Sequence, residues 1–170
     1  MGLHITFTKV HEALEKSGID HALIGGMALA TLGIHRATQD VDLLIDGEQR
    51  TSAVQCLERA GFKLIFETKE VLHFEGLGRV DLLLANRPLS RQMLQEAKKY
   101  PQHKMRCVSP EGIIGLKIQS YTNDRKRELQ DKADIKKLIE IYPDLNWKKV
   151  QLYAELFGEW ETIKALKNRE

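Results

Sequence analysis

The sequence is poor in the features that mark secreted, membrane-spanning or disulfide-bonded proteins. Its 170 residues include only two cysteines, Cys56 and Cys107, which lie far apart and lack the spacing of metal ligands. No apolar run approaches the ~20 residues that a membrane-spanning helix needs, and no basic leader precedes a long apolar segment. These absences predict a cytoplasmic protein without a secretory signal, in which both thiols are packed side chains.

An excess of charge of one sign is also lacking, because 26 basic and 24 acidic residues give a formal net charge of +2. Residues 1–90 hold 9 basic and 12 acidic residues, whereas residues 91–170 hold 17 basic and 12 acidic residues. The second half could accept RNA or a nucleotide, but its basic residues are interleaved with Glu and Asp, which is typical of a solvated helix face. Charge therefore does not indicate nucleic acid as the main partner.

What the chain does contain is an alternation of helical and strand-like segments up to residue 108. The residue patterns predict strands over 19–24, 40–45, 62–67, 71–74, 79–85 and 105–108. They predict helices over 5–17, 27–32, 48–60, 89–100, 110–121, 125–141 and 147 to at least 157. We therefore expect an α/β (α+β) fold, with a mixed sheet flanked by helices in residues 1–108 and a helical region in residues 109–170.

The segment from Leu23 to Asp46 contains the strongest functional pattern. Gly25-Gly26 ends one apolar run and opens a short helical segment, and Asp40-Val41-Asp42 begins a second apolar run fourteen residues later. Because successive strand side chains point to opposite faces, Asp40 and Asp42 share one face. Two carboxylates beside a glycine turn with backbone N–H groups indicate a site for a metal-bound polyphosphate, although an isolated Asp-x-Asp is more often a strand end.

A third carboxylate occurs in a similar setting. Asp81 lies near the start of the apolar run Arg79–Ala85, and it can meet the other two acids if the two strands are neighbours. Oxygen ligands suit Mg²⁺, and three carboxylates around divalent cations suit phosphoryl or nucleotidyl transfer. The alternative is a strand-edge acid that pairs with Arg79 or Lys63.

Further candidate residues lie on either side of the acids. Arg36 and Thr38 are in the segment that leads to Asp40, where Arg36 could neutralise phosphate charge or instead form a salt bridge with Asp20 or Asp46. Lys117 lies among the apolar residues of the 110–121 helix, a setting in which a lysine is often an ordinary side chain that extends to solvent.

The order of these motifs resembles the nucleotidyltransferase superfamily related to DNA polymerase β. More narrowly, the combination of Gly25-Gly26, Arg36-x-Thr38-x-Asp40-x-Asp42 and a strand bearing Asp81 is similar to minimal nucleotidyltransferases and to the AbiEii-like toxin group. Residues 109–117 and 125–135 also look like segments of that group, with Gln130 where a lysine is usual. The wider superfamily often has Gly-Ser at the turn, whereas Gly26 occupies the second position in this chain.

The resemblance implies a nucleotidyltransferase-type sheet and a Mg²⁺- or Mn²⁺-dependent enzyme that transfers NMP from an NTP, such as ATP, to an acceptor hydroxyl. It implies that Asp40, Asp42 and Asp81 are catalytic and metal-binding, and that Gly25, Gly26, Arg36, Thr38 and Lys117 contact the nucleotide. The acceptor could be tRNA, protein or a small molecule, and a cognate toxin or antitoxin protein could be a partner.

Three alternatives stay open at the level of sequence. The chain could be a catalytically inactive or regulatory nucleotide-binding protein, such as an antitoxin, on the same fold. It could be a transferase with a narrow acceptor, such as an aminoglycoside hydroxyl. It could also be an unrelated α/β domain whose acids coincide by chance, in which case it would not bind nucleotide in a Mg²⁺-dependent manner.

Overall fold

The computed structural model describes residues 2–101 and 104–168, which form two compact units. The first unit contains the described residues up to Thr31 together with His35–Val108, and the second contains Leu32–Ile34 together with the residues from Ser109 onward. Within the second unit, the Tyr142 hydroxyl donates a hydrogen bond to the Leu32 carbonyl at 3.1 Å. A short segment from the first third of the chain is therefore part of the C-terminal unit.

The first unit combines helices with one seven-stranded mixed sheet. Its helices are α1 (Gly2–Lys16), α2 (Gly25–Thr31), α3 (Arg50–Arg59) and α4 (Pro88–Glu96). Its strands are β1 (His21–Leu23), β2 (Asp40–Asp46), β3 (Lys63–Glu67), β4 (Val71–Glu75), β5 (Arg79–Ala85), β6 (Lys98–Lys99) and β7 (Arg106–Cys107). The strand order is β3-β4-β5-β2-β1-β7-β6, with β2/β5 and β1/β7 parallel and the other pairs antiparallel. The predicted mixed sheet is confirmed.

The two faces of the central strand β2 differ in burial at the start of the strand. Val41, Leu43 and Ile45 are fully buried, whereas Asp40 and Asp42 on the opposite face are only half-buried. Burial of each such aliphatic side chain contributes about 1.5–3 kcal/mol, so this face is a main source of stability for the unit. Helices α1 and α4 both contact β2. The apolar face fixes the register of the strand and thereby orients both acids toward the more open side.

The described part of the second unit is helical apart from its turns. Its helices are α5 (Pro110–Asn123), α6 (Glu128–Ile141), α7 (Trp147–Leu156) and α8 (Trp160–Asn168). The side-chain oxygen of Ser109 accepts a hydrogen bond from the Gly112 amide at 3.2 Å, and Pro110 occupies the first turn. This cap sets the start of α5 at the position that the sequence predicts. Helix α5 packs against both α6 and α7.

Two elements differ from the sequence prediction. Helix α4 ends at Glu96 rather than near Tyr100, because Lys98 and Lys99 instead form β6 and pair with β7. Helix α8 was not predicted, and Gly158, with φ of +67°, lies between it and α7.

Within residues 2–101 and 104–168, no helix combines the length and apolar character needed to cross a membrane.

Candidate active site

Strand pairing brings the predicted acids onto one face of the sheet. Strands β2 and β5 are parallel neighbours, with Asp42 directly beside Asp81 and Asp40 beside Arg79. Because residues two apart on a strand share a face, Asp40 and Asp42 lie on the same face as Asp81. The pairing of Asp81 with Asp42, rather than with Asp40, is set by the register of two strands separated by 32 residues of sequence.

The glycine turn at the start of α2 lies directly against one of these acids. Gly25 has a φ of +63°, and a Cβ atom at this position would come within 2.6 Å of the Asp42 Cγ atom. The backbone amide of Ile24 also donates a hydrogen bond to the Asp42 carbonyl at 3.0 Å. A side chain at position 25 would therefore displace the Asp42 carboxylate, which explains why the close approach requires glycine.

Thr38 lies against the second glycine of the turn. A Cβ atom at Gly26 would come within 2.6 Å of the Thr38 Cβ and Oγ1 atoms. The Thr38 hydroxyl makes a long hydrogen bond of 3.4 Å to the Asp40 carbonyl. The structure therefore brings Gly25, Gly26 and Thr38 together with the acid pair of β2, while their predicted contacts with a nucleotide stay predictions.

The environment of Asp40 is unusual for an ionisable side chain. Its Oδ1 atom is buried and has no hydrogen-bond partner within the described residues. A buried carboxylate oxygen without a partner is costly, so its presence favours a ligand that supplies the missing interaction. Carboxylate oxygens are the ligands that Mg²⁺ and Mn²⁺ prefer, and the donor set of Asp40, Asp42 and Asp81 therefore fits such an ion. In residues 2–101 and 104–168, no three His, Cys, Asp or Glu side chains are already gathered as a metal cluster.

Asp81 has a partner that the sequence analysis missed. Its Oδ1 atom lies 2.7 Å from Nδ1 of His73 on β4, and the two residues are cross-strand neighbours. The predicted alternatives, Arg79 and Lys63, do not take this place, and Arg79 pairs instead with Glu75 at 3.7 Å. The signal for His73 in the sequence is the alternation Leu72-His73-Phe74, in which a polar residue occupies the more open face between two buried apolar residues.

The two acids predicted as salt-bridge partners of Arg36 lie close to other arginines. Asp20 forms a salt bridge with Arg106, and Asp46 lies 3.8 Å from Arg91. The Arg36 side chain is only partly exposed. Its predicted role in binding phosphate stays a prediction.

Lys117 belongs to the second unit and is buried on α5. Its Nζ atom lies 2.8 Å from both Asp131 Oδ1 and Asp134 Oδ2 on α6. Burial alone would raise the pKa of Asp131, but the hydrogen bond and the charge of Lys117 outweigh it and hold that pKa below its usual value. Lys117 therefore stabilises the contact of α5 with α6, and its predicted contact with phosphate stays a prediction.

No protein-family model and no curated protein sequence matches this chain. Solved structures do match: the antibiotic-resistance factor ANT(2″)-Ia is 19% identical over 94% of this chain and 93% of its own, with a TM-score of 0.66. The lincosamide antibiotic adenylyltransferase LnuA is 17% identical over 79% of this chain and 95% of its own, with a TM-score of 0.57.

A third match is a putative nucleotidyltransferase from Thermotoga maritima, with 11% identity over 74% of this chain and 88% of its own and a TM-score of 0.54. The chain therefore has the nucleotidyltransferase fold, in agreement with the sequence prediction. At identities of 11–19%, the similarity establishes the fold alone.

Proposed function

We propose that this protein is a divalent-metal-dependent nucleotidyltransferase, which transfers NMP from an NTP to an acceptor hydroxyl. The observation that carries the proposal is the placement of Asp40, Asp42 and Asp81 on one face of the sheet, with the Gly25 turn against Asp42. Catalysis of this kind depends mainly on positioning and on charge stabilisation, both of which rigid strands supply.

Asp40, Asp42 and Asp81 would hold Mg²⁺ or Mn²⁺, and the partnerless Oδ1 atom of Asp40 supports that assignment. When bound, the cation would supply Lewis-acid stabilisation of the negative charge on the phosphates. The backbone N–H groups of Gly25 and Gly26 would bind the outer phosphates, and Arg36 and Thr38 would add contacts from the segment that precedes β2.

The reaction would proceed by in-line displacement at the α-phosphorus. Asp81 would accept the proton of the acceptor hydroxyl, whose oxygen forms a new bond to the α-phosphorus while the bond to the bridging oxygen of pyrophosphate breaks. The products are the nucleotidylated acceptor and pyrophosphate, and the proton passes from Asp81 to solvent. Arg36 would neutralise charge on the departing pyrophosphate, and the backbone N–H groups of the Gly25-Gly26 turn would donate hydrogen bonds to its oxygens.

The acceptor we favour is a small molecule with a hydroxyl group. Support comes from two structural relatives, because ANT(2″)-Ia has been crystallised with adenylyl-2″-tobramycin and LnuA with lincomycin. The structural match also covers 91% of this chain and 96% of the ANT(2″)-Ia chain in that complex. The AbiEii-like grouping, a toxin–antitoxin partner, and tRNA or protein as acceptor remain alternatives to be separated by experiment.

The test is transfer of label from each α-labelled NTP in turn, with Mg²⁺ or Mn²⁺, to tobramycin, lincomycin, bulk tRNA or lysate protein. The Asp40→Asn/Asp42→Asn double variant is the negative control. Asp46→Asn is a matched control, because Asp46 lies on the same strand but is 3.8 Å from Arg91 and caps the following turn. We expect label on one acceptor class with wild type and Asp46→Asn, and none with the double variant.

Each other result has a defined meaning. Metal-dependent NTP binding without transfer to any acceptor would favour the regulatory or inactive alternative. Equal transfer by wild type and the double variant would show that the site is assigned wrongly. Absence of nucleotide binding would contradict the proposed function, whereas the assignment of the fold would stand.

A further inference from the structure

A row of side chains on the acidic face extends beyond the three acids toward the edge of the sheet. Phe66 on β3 pairs with His73 on β4, His73 pairs with Asp81 on β5, and Asp81 lies beside Asp42 on β2. A register shift between Leu64 and Phe66 sets this alignment. Neither Phe66 nor His73 has a role in the proposed reaction so far.

The contact of His73 with Asp81 has a defined direction. An ionised carboxylate can only accept hydrogen bonds, so Nδ1–H of His73 donates to Oδ1 of Asp81 across 2.7 Å. The two side chains are about one-third exposed, at 34% and 31%. The bond engages one carboxylate oxygen and restricts rotation of the group, so the orientation of the second oxygen, Oδ2, is restricted as well.

Phe66 packs on the other side of this contact. Its ring is stacked on the imidazole of His73, with ring centroids 5.5 Å apart and an angle of 30° between the planes. Phe66 is nevertheless 59% exposed, so the stack covers one side of the imidazole without burying the phenyl ring. The stack limits the orientations of the His73 ring and thereby directs Nδ1 toward Asp81.

We propose that His73 is a positioning residue for Asp81, and that Phe66 holds the imidazole in place. His73 would orient the carboxylate toward the divalent cation and the acceptor hydroxyl, in the way that outer hydrogen-bond partners orient metal-binding side chains. This inference rests on the proposed function and adds two residues that contact neither the cation nor the substrate.

The test compares variants that keep or remove the donor at the position of Nδ1. The amide nitrogen of Asn occupies a place similar to Nδ1, whereas that of Gln resembles Nε2. We therefore expect His73→Ala and His73→Gln to weaken binding of Mn²⁺ in the presence of ATP by about 10-fold, and His73→Asn to restore most of the affinity. The amount of bound Mn²⁺ is measured from the loss of the electron paramagnetic resonance signal of free Mn²⁺.

Phe66→Ala should have a smaller effect in the same direction. Its matched control is Ile65→Ala, because Ile65 is the adjacent residue and is similarly exposed at 52%. We expect Ile65→Ala to bind Mn²⁺ as wild type does. Equal losses for the two variants would show that the effect comes from the exposed strand β3 in general, and would overturn the role of Phe66.

A second measurement reports on the hydrogen bond without metal or nucleotide. Long-range proton–nitrogen NMR spectra in mildly alkaline buffer should show the proton of His73 on Nδ1 in wild type, and a loss of that preference in Asp81→Asn. A proton on Nε2 in wild type would overturn the proposal, as would unchanged Mn²⁺ affinity in a folded His73→Ala protein. If wild type bound no Mn²⁺, the proposed function would fail first, so the two failures are distinguishable.

Discussion

The carboxylates of the two units differ in how the protein accommodates their charge. In the second unit, Asp131 and Asp134 are almost completely buried, and each lies 2.8 Å from the Lys117 ammonium group. In the first unit, Asp40 and Asp42 lie side by side on a half-open face, and Oδ1 of Asp40 has no hydrogen-bond partner among the described residues. Both sets consist of acids spaced two or three residues apart, but in the second unit both acids share one buried ammonium group, whereas in the described part of the first unit an oxygen of Asp40 is left without a partner.

This difference separates a structural group from a candidate binding site. A buried ion pair loses several kcal/mol when one partner is removed, because the other charge is left without compensation. A carboxylate with an unmatched oxygen has the opposite response, since neutralising it removes a cost from the folded state. Stability and activity measurements on the two sets should therefore diverge.

The largest effect is expected for the acids of β2. Asp40→Asn should lower nucleotidyl transfer by about 10³-fold, because a carboxylate that we propose as a ligand of the cation loses its charge. The same variant should melt at or above the wild-type temperature, because the buried Oδ1 atom no longer belongs to an ionised group. Transfer assays and thermal melts of one preparation measure both quantities. A large fall in melting temperature would show that Asp40 has a structural role like that of Asp131.

Removal of the positive charge of Lys117 in the second unit should instead reduce the stability of the protein. Lys117→Met leaves Asp131 and Asp134 buried without their counter-ion, and we expect a loss of about 3–5 kcal/mol in the free energy of unfolding. Urea denaturation measures the change. Lys148→Met in α7 is the control, because this lysine is exposed and its replacement should alter stability by less than about 0.5 kcal/mol. A stable Lys117→Met protein with impaired nucleotide binding would favour the phosphate role.

Replacement of the first turn glycine should affect both stability and activity. Gly25→Ala forces a side chain into a φ of +63°, which costs about 1–2 kcal/mol, and directs its Cβ atom into the Asp42 carboxylate. Gly18→Ala is a close control, because Gly18 has a φ of +67° but no atom within 4 Å of its would-be Cβ atom. Both variants should lose stability, and only Gly25→Ala should lose transfer activity. Equal activity would show that the position of Asp42 is not critical.

The smallest effect concerns pH and a buried histidine of the first unit. Burial lowers the pKa of His21 below 6.5, despite the opposing hydrogen bond to the Ile19 carbonyl, and His11 lowers it further. The unfolded chain therefore binds more protons than the folded protein below about pH 6.5. Stability should be complete above this pH and should fall as the pH decreases. Melting temperatures between pH 7.5 and 5.5 should show a smaller decrease for His21→Gln than for wild type.

Much of the fold could be predicted because it depends on local patterns. The apolar runs after Asp42 and Asp81 predict strands, and Ser109-Pro110 predicts the start of α5, where the capping bond is observed. The end of α4 could not be predicted in this way, because Lys98 and Lys99 become a strand only by pairing with β7. A strand of only two residues is too short to carry a periodic signal of its own.

In the candidate site, too, some features follow from adjacent residues and others from contacts between distant ones. By itself, the sequence determined that Asp40 and Asp42 share one face and that a glycine turn precedes them, since both follow from the geometry of adjacent residues. Only the tertiary structure decided that Asp81 lies beside Asp42, that His73 holds Asp81, and that Lys117 is bound by Asp131 and Asp134. These contacts join residues 8 to 39 positions apart, and strand register and helix packing select them from many compatible pairings.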